Sequence, residues 1–139
     1  MQCTCSYDFI GRGWVFDWRA KAILNAVSGM EGHMTAEEIF LAVRSVMPGI
    51  ALGTVYRNLH KFAEEKRIRR VSRANAPDRY EKNLVPHDHI VCFRCGRMSD
   101  IKISGMKEYI QEHLGCRVIS FDVTVNCLCR QCAEAEERN

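Results

Sequence analysis

Apolar residues recur every three to four positions through the first half of this chain and every second position near its end. Helices are therefore expected first and a strand late. Over residues 14–28, Val15, Trp18, Ala22, Ile23, Ala26 and Val27 fall at helical spacing. A second helix is expected from Thr35, where Thr35-Ala36-Glu37-Glu38 reads as a capping box with Thr at the N-cap and Glu at N3. Ile39, Phe40, Val43, Val46 and Met47 form its apolar side, and Pro48-Gly49 ends it. A third helix over residues 52–66 places Val55, Leu59, Phe62 and Ala63 on one face. Thr54, Arg57, Asn58 and Lys61 lie on the other, with Tyr56 and His60 at the margins. Residues 68–72 and 79–82 then read as short strands around the turn Asn75-Ala76-Pro77-Asp78.

The pattern breaks near residues 83–86 and a second segment begins. Strands are expected at 89–92 and 98–101, and a helix at 104–114 with Met106, Tyr109, Ile110 and Leu114 inward. Ile119, Phe121, Val123 and Val125 alternate with polar residues as in a half-buried strand. Cys127 shares their parity and is expected as a buried apolar thiol. The charged tail, residues 133–139, is expected to fray. The predicted class is α+β: a winged helix-turn-helix over residues 1–83, then a small α/β metal-binding domain over residues 84–139. In a winged helix the third helix enters the major groove and the hairpin lies on the phosphate backbone. Lys66, Arg67, Arg69, Arg70 and Arg73 stand at the base of that wing.

Composition narrows the class. With 139 residues, 47% hydrophobic and 27% charged, the chain can bury a core and is not of disordered type. It has no apolar run long enough to cross a bilayer, and residues 1–7 do not resemble a signal peptide. Eight cysteines without an export signal point to reduced thiols, metal and a cytoplasmic location. Residues 1–84 hold 13 Lys and Arg against 9 Asp and Glu, and residues 85–139 hold 7 against 8. A mildly basic front half suits a polyanion such as double-stranded DNA.

Two clusters carry metal chemistry. Cys92/Cys95 and Cys129/Cys132 are C-x-x-C pairs separated by 33 residues. Each turn presents two thiolates, and two turns complete a tetrahedral S₄ zinc site. Gly96 is free to take the positive φ that curls the first turn. The second cluster is His87, His89 and Asp100, with His33 and Glu81 from the first segment. Three imidazoles and two carboxylates favour Fe²⁺ or Mn²⁺ over a site built for zinc on thiolates.

The chain resembles the ferric-uptake-regulator (Fur) superfamily of bacterial metal-dependent repressors. The resemblance is carried by His33-Met34-Thr35-Ala36-Glu37-Glu38-Ile39-Phe40, Leu52-Gly53-Thr54-Val55-Tyr56-Arg57-Asn58-Leu59, Asp78-Arg79-Tyr80-Glu81, the run from His87 to Gly96, and Cys129-Arg130-Gln131-Cys132. It implies a homodimer whose C-terminal domains dimerise, with a structural Cys₄ zinc. It further implies a regulatory Fe²⁺ or Mn²⁺ on His33, Glu81, His87, His89 and Asp100. Tyr56 and Arg57 match the family's DNA-contacting positions. Asp100 stands where peroxide-sensing members carry Asp, which implies oxidation of His33 or His87 by H₂O₂ and release of promoter DNA. Glu81 departs from that branch, where Asp is usual, so iron- or manganese-responsive repression remains the alternative. Gly13-Trp14-Val15-Phe16-Asp17-Trp18-Arg19 does not reproduce the family's usual opening of the first helix, and Pro86 replaces a His. An enzyme is not expected: a zinc hydrolase on His87 and His89 would need a base motif such as H-E-x-x-H, which is missing.

Overall fold

The computed structural model describes residues 17–73 and 75–138. Val15, the Gly13–Phe16 segment and the cysteines at positions 3 and 5 lie outside them. The chain divides into two compact units, Met1–Leu84 and Val85–Asn139.

The first unit begins with α1 (Trp18–Gly29), whose N-cap Asp17 accepts from the Arg19 and Ala20 amides. α2 (Ala36–Val46) starts at the capping box foreseen in the sequence. Thr35 Oγ1 accepts from the Glu38 amide at 3.2 Å, and Glu38 Oε2 accepts from the Thr35 amide at 2.7 Å. α2 stops at Val46, just before Pro48. α3 (Leu52–Glu64) follows and buries Val55, Leu59 and Phe62. The chain then reverses through Lys66, a non-glycine residue at φ 54°.

β2 (Arg69–Val71) and β3 (Arg79–Glu81) form the wing, with Arg70 opposite Tyr80. A third strand not foreseen in the sequence completes this sheet. β1 (Met34–Thr35) pairs antiparallel with β3, Met34 opposite Tyr80. Two residues show no periodicity, so only the pairing reveals β1. Its effect is to place His33, immediately before it, alongside the end of β3. Ile23, Val27, Ile39, Val43, Val55, Leu59, Phe62 and Tyr80 build one continuous core, and each aliphatic side chain so buried contributes roughly 1.5–3 kcal/mol.

The second unit is a sheet in the order β5-β4-β6: β4 (Asp88–Cys92), β5 (Met98–Ile101) and β6 (Thr124–Cys127). β4 runs antiparallel to β5 and parallel to β6. Four expectations are corrected here. The late strand covers only Thr124–Cys127 rather than reaching back to Ile119, which is 80% exposed. α4 (Met106–Leu114) buries none of its residues within the chain, and Tyr109 and Leu114 are exposed. The tail does not fray but forms α5 (Arg130–Glu137), braced by Arg130 Nε donating to Glu134 Oε1 at 2.8 Å. Four-residue spacing of opposite charges supports such a helix. Cys127 is half-buried rather than fully buried.

Candidate metal centres and nucleic-acid face

The four cysteines of the C-x-x-C pairs converge from the end of β4, the turn after it and the start of α5. Their sulfurs all lie within 4.8 Å of one another. Cys95 Sγ and Cys129 Sγ are 3.8 Å apart, matching the roughly 3.8 Å edge of a tetrahedron with Zn–S bonds of about 2.3 Å. Gly96 sits at φ 71° and returns its amide to the Cys92 carbonyl at 2.9 Å, closing the first turn. Backbone N–H groups of Cys95 and Cys129 point at Cys92 and pull its thiol down to about 6. The Cys129 amide reaches Cys92 Sγ at 3.4 Å. Cys132 is pushed up to about 12, first by its hydrogen bond with Cys129 and then by burial. Four crowded thiols cannot all ionise unless a cation shares their charge. The donor set, spacing and amide support therefore fit a divalent zinc held by Cys92, Cys95, Cys129 and Cys132.

The oxygen and nitrogen donors fall into two groups, one in each unit. In the first, His33 Nε2 lies 3.1 Å from Glu81 Oε2, and Arg69 Nε stands 3.7 Å from Glu81 Oε1. Glu81 is 3% exposed, unusual for a carboxylate unless it is paired or ligating. In the second, His89 and Asp100 are direct cross-strand partners on β4 and β5, so their side chains share one face. His87 stands just before β4, its ring 4.7 Å from that of His89. The Val85 carbonyl accepts from His87 Nδ1 at 2.6 Å. A carbonyl cannot donate, so Nδ1 carries the proton and Nε2 faces Asp100 Oδ1 at 3.5 Å. A lone pair and a carboxylate facing each other call for a proton or a cation between them. A backbone carbonyl that fixes the tautomer in this way is the usual support of a metal-binding imidazole. Both groups fit a hard or borderline divalent cation.

The outward face of α3 was predicted to meet DNA. Tyr56 and Arg57 are exposed there, and Thr54, Asn58 and Lys61 are half-buried. Thr54 organises the face: its Oγ1 accepts from Arg57 Nη2 at 3.2 Å and its carbonyl from Asn58 Nδ2 at 2.8 Å. Lys61 Nζ approaches Glu65 at 3.9 Å. Sequence reasoning missed Glu37, whose Oε1 accepts from Tyr56 Oη at 2.6 Å. No spacing rule joins residues 19 apart on different helices. The wing arginines are also engaged locally: Arg70 Nε donates to Asp78 at 2.7 Å and Arg67 lies 3.7 Å from Glu65.

The family model described as the ferric uptake regulator family matches residues 17–126. A peroxide-responsive repressor PerR from Staphylococcus epidermidis is 29% identical over 119 residues, spanning 82% of this chain and 78% of that protein. The ferric uptake regulator of Francisella tularensis, solved with iron, shares the fold at a TM-score of 0.77 and 24% identity, covering 91% of this chain and 99% of that one. A ferric uptake regulator from Helicobacter pylori matches at 0.75 and 23% identity, with 82% and 81% covered. Among the described residues no helix is long and apolar enough to cross a membrane.

Proposed function

Because this chain belongs to the ferric uptake regulator family, and so is a metal-responsive transcriptional regulator, we propose that it is a homodimeric repressor of palindromic promoter DNA that responds to peroxide. Residues 1–83 serve as the DNA-binding domain and residues 84–139 as the dimerisation and metal-binding domain. Cys92, Cys95, Cys129 and Cys132 hold a structural zinc. His33, Glu81, His87, His89 and Asp100 hold one regulatory Fe²⁺ or Mn²⁺, drawing donors from both domains. An ion that needs both sets of donors favours one domain arrangement over others, and a dimer's two recognition helices must be correctly spaced to reach successive major grooves. Thr54, Tyr56, Arg57, Asn58 and Lys61 meet the DNA.

The observation that carries this reading is the pairing of His89 with Asp100 beside a tautomer-fixed His87. It gives the second domain a preorganised N,N,O donor set that a surface patch would have no reason to keep. Dimerisation draws support from Tyr109, Leu114 and Ile119, which lie exposed at 60%, 68% and 80% in a single chain. Fe²⁺ held by His33, Glu81, His87, His89 and Asp100 would supply the electrons that cleave H₂O₂, with one oxygen passing to the imidazole of His33 or His87 and the other leaving as water. Losing that donor releases the DNA-binding arrangement. Asp100 and the PerR relative support the peroxide branch. Glu81, a glutamate where peroxide sensors of the family commonly carry aspartate, favours iron- or manganese-responsive repression as the second reading.

The test loads the protein with Fe²⁺ or Mn²⁺, exposes both forms to H₂O₂, and measures operator binding and peptide masses. One oxygen gained on the His33 or His87 peptide, with iron alone, together with loss of binding, establishes peroxide sensing. Unchanged masses with retained binding establish the second reading. If Mn²⁺ leaves affinity for the operator unchanged, metal-dependent repression itself is excluded.

A further inference from the structure

A fifth cysteine abuts the Cys₄ cluster. Cys127 ends β6 directly opposite Cys92 in the parallel ladder with β4. The Cys127 carbonyl accepts from the Phe93 amide at 2.7 Å, which fixes this register next to Cys92. Paired residues on neighbouring strands stand about 4.8 Å apart with their side chains on one face. That spacing falls inside the Cα window of about 4.4–6.8 Å open to a disulfide. Cys127 is half-buried, whereas Cys92 is 2% exposed. An oxidant in solution therefore meets Cys127 before it meets Cys92.

We propose that Cys127 is a redox partner of Cys92, so that hydroperoxides convert the pair to a disulfide and open the zinc site. This rests on the structural-zinc reading above. In the first step the Cys127 sulfur attacks the peroxide O–O bond, giving a sulfenic acid and one water. In the second the Cys92 thiolate attacks the Cys127 sulfur, forming the S–S bond and breaking S–O. The departing hydroxide takes up a proton and leaves as a second water. Two thiols supply the two electrons that reduce one peroxide. Cys92 is then lost as a ligand, and three thiolates remain for the zinc. This route differs from imidazole oxidation because it needs no iron.

The experiment uses full-length protein purified with its metal, whose zinc content is measured first. The iron-free protein is treated with H₂O₂, zinc release is followed with a chromogenic chelator, and disulfides are mapped by non-reducing peptide mass spectrometry. The expected result is a Cys92–Cys127 cross-linked peptide appearing in step with zinc release. In Cys127→Ser, and in Cys127→Ala should the serine variant fold poorly, release slows several-fold. Exposed Cys116, changed to Ser, leaves the rate unaltered. The proposal is overturned if the Cys127 variants release zinc at the parent rate, or if the disulfides join only Cys92, Cys95, Cys129 and Cys132 among themselves. A chain that carries no zinc as purified refutes the zinc reading separately. Disulfide mapping of that metal-free chain still decides whether Cys92 and Cys127 pair.

Discussion

Tyr56 Oη donates to Glu37 Oε1 across 2.6 Å, tying the outward face of α3 to the first turn of α2. The bond raises the Tyr56 phenol to about 12 and lowers the Glu37 carboxyl. Both groups lie at the surface, so the effect on stability is small and screened by salt. Its sign is nevertheless fixed. Tyr56 holds its proton more firmly when folded, so its share is intact below the ordinary tyrosine value near 10 and fades as pH climbs through about 12. The Glu37 share is intact above the ordinary carboxylate range and fades as pH falls below it. In Glu37→Ala the Tyr56 titration, followed by the NMR shift of its ring carbons, moves back toward the ordinary value. Tyr80, raised first by its own burial and least by Glu37, moves back much less.

Removing the proposed zinc is expected to unfold the second unit before the first. Among the described residues of that unit neither α4 nor α5 buries a side chain, and Val91 is its one buried aliphatic residue. A structural zinc contributes on the order of 10–16 kcal/mol in small metal-folded domains, more than so small a core supplies. Cys129→Ser, or a strong chelator, is expected to collapse the amide NMR signals of residues 85–138 while those of residues 17–73 persist.

Loss of one nitrogen donor is expected to weaken the proposed regulatory site without disturbing the proposed zinc. For His89→Ala or His33→Ala, Mn²⁺ affinity measured calorimetrically falls by more than about tenfold, since even outer-shell changes cost 10–100-fold. Zinc content stays at one per chain. Equal Mn²⁺ affinity in both variants would remove these residues from the ligand set.

The core of the first unit is expected to follow burial. Ile39 and Leu59 are fully buried, so Ile39→Ala or Leu59→Ala costs about 2–5 kcal/mol in denaturant unfolding. Thr35→Ala removes the capping hydrogen bond and costs about 1 kcal/mol. A reversal of that order would mean that the cap, not the packing, holds α2 in place.

The exposed apolar residues of the second unit predict self-association. Light scattering should show a dimer, and Leu114→Asp combined with Ile119→Asp should shift it toward monomer and weaken operator binding with it. A monomeric parent protein that still binds a palindromic operator tightly would contradict the proposed assembly.

The residues of both candidate metal clusters were legible in the sequence because metal-ligating side chains are chemically distinctive and the C-x-x-C spacing is local. The helices of the first unit were legible too, since Ile39, Val43, Val55 and Leu59 repeat with a period that only a one-sided helix explains. In the second unit the same reasoning failed. Tyr109 and Leu114 keep the helical period yet lie open in the single chain, and the alternation from Ile119 to Val125 condenses into a strand of four residues. Periodicity reports that a face is apolar, not what covers it.

Four relationships were settled by tertiary structure alone. β1 is too short to carry a pattern, and it exists because Met34 finds Tyr80. His89 meets Asp100, and Cys127 meets Cys92, through strand register, which depends on pairing energies summed over the whole sheet. Glu37 reaches Tyr56 because packing α2 against α3 brings their exposed edges together. The sequence by itself determined which donors this protein has and which helices carry them. Only the folded chain decided which donors face one another, because register and helix packing are properties of distant segments acting together.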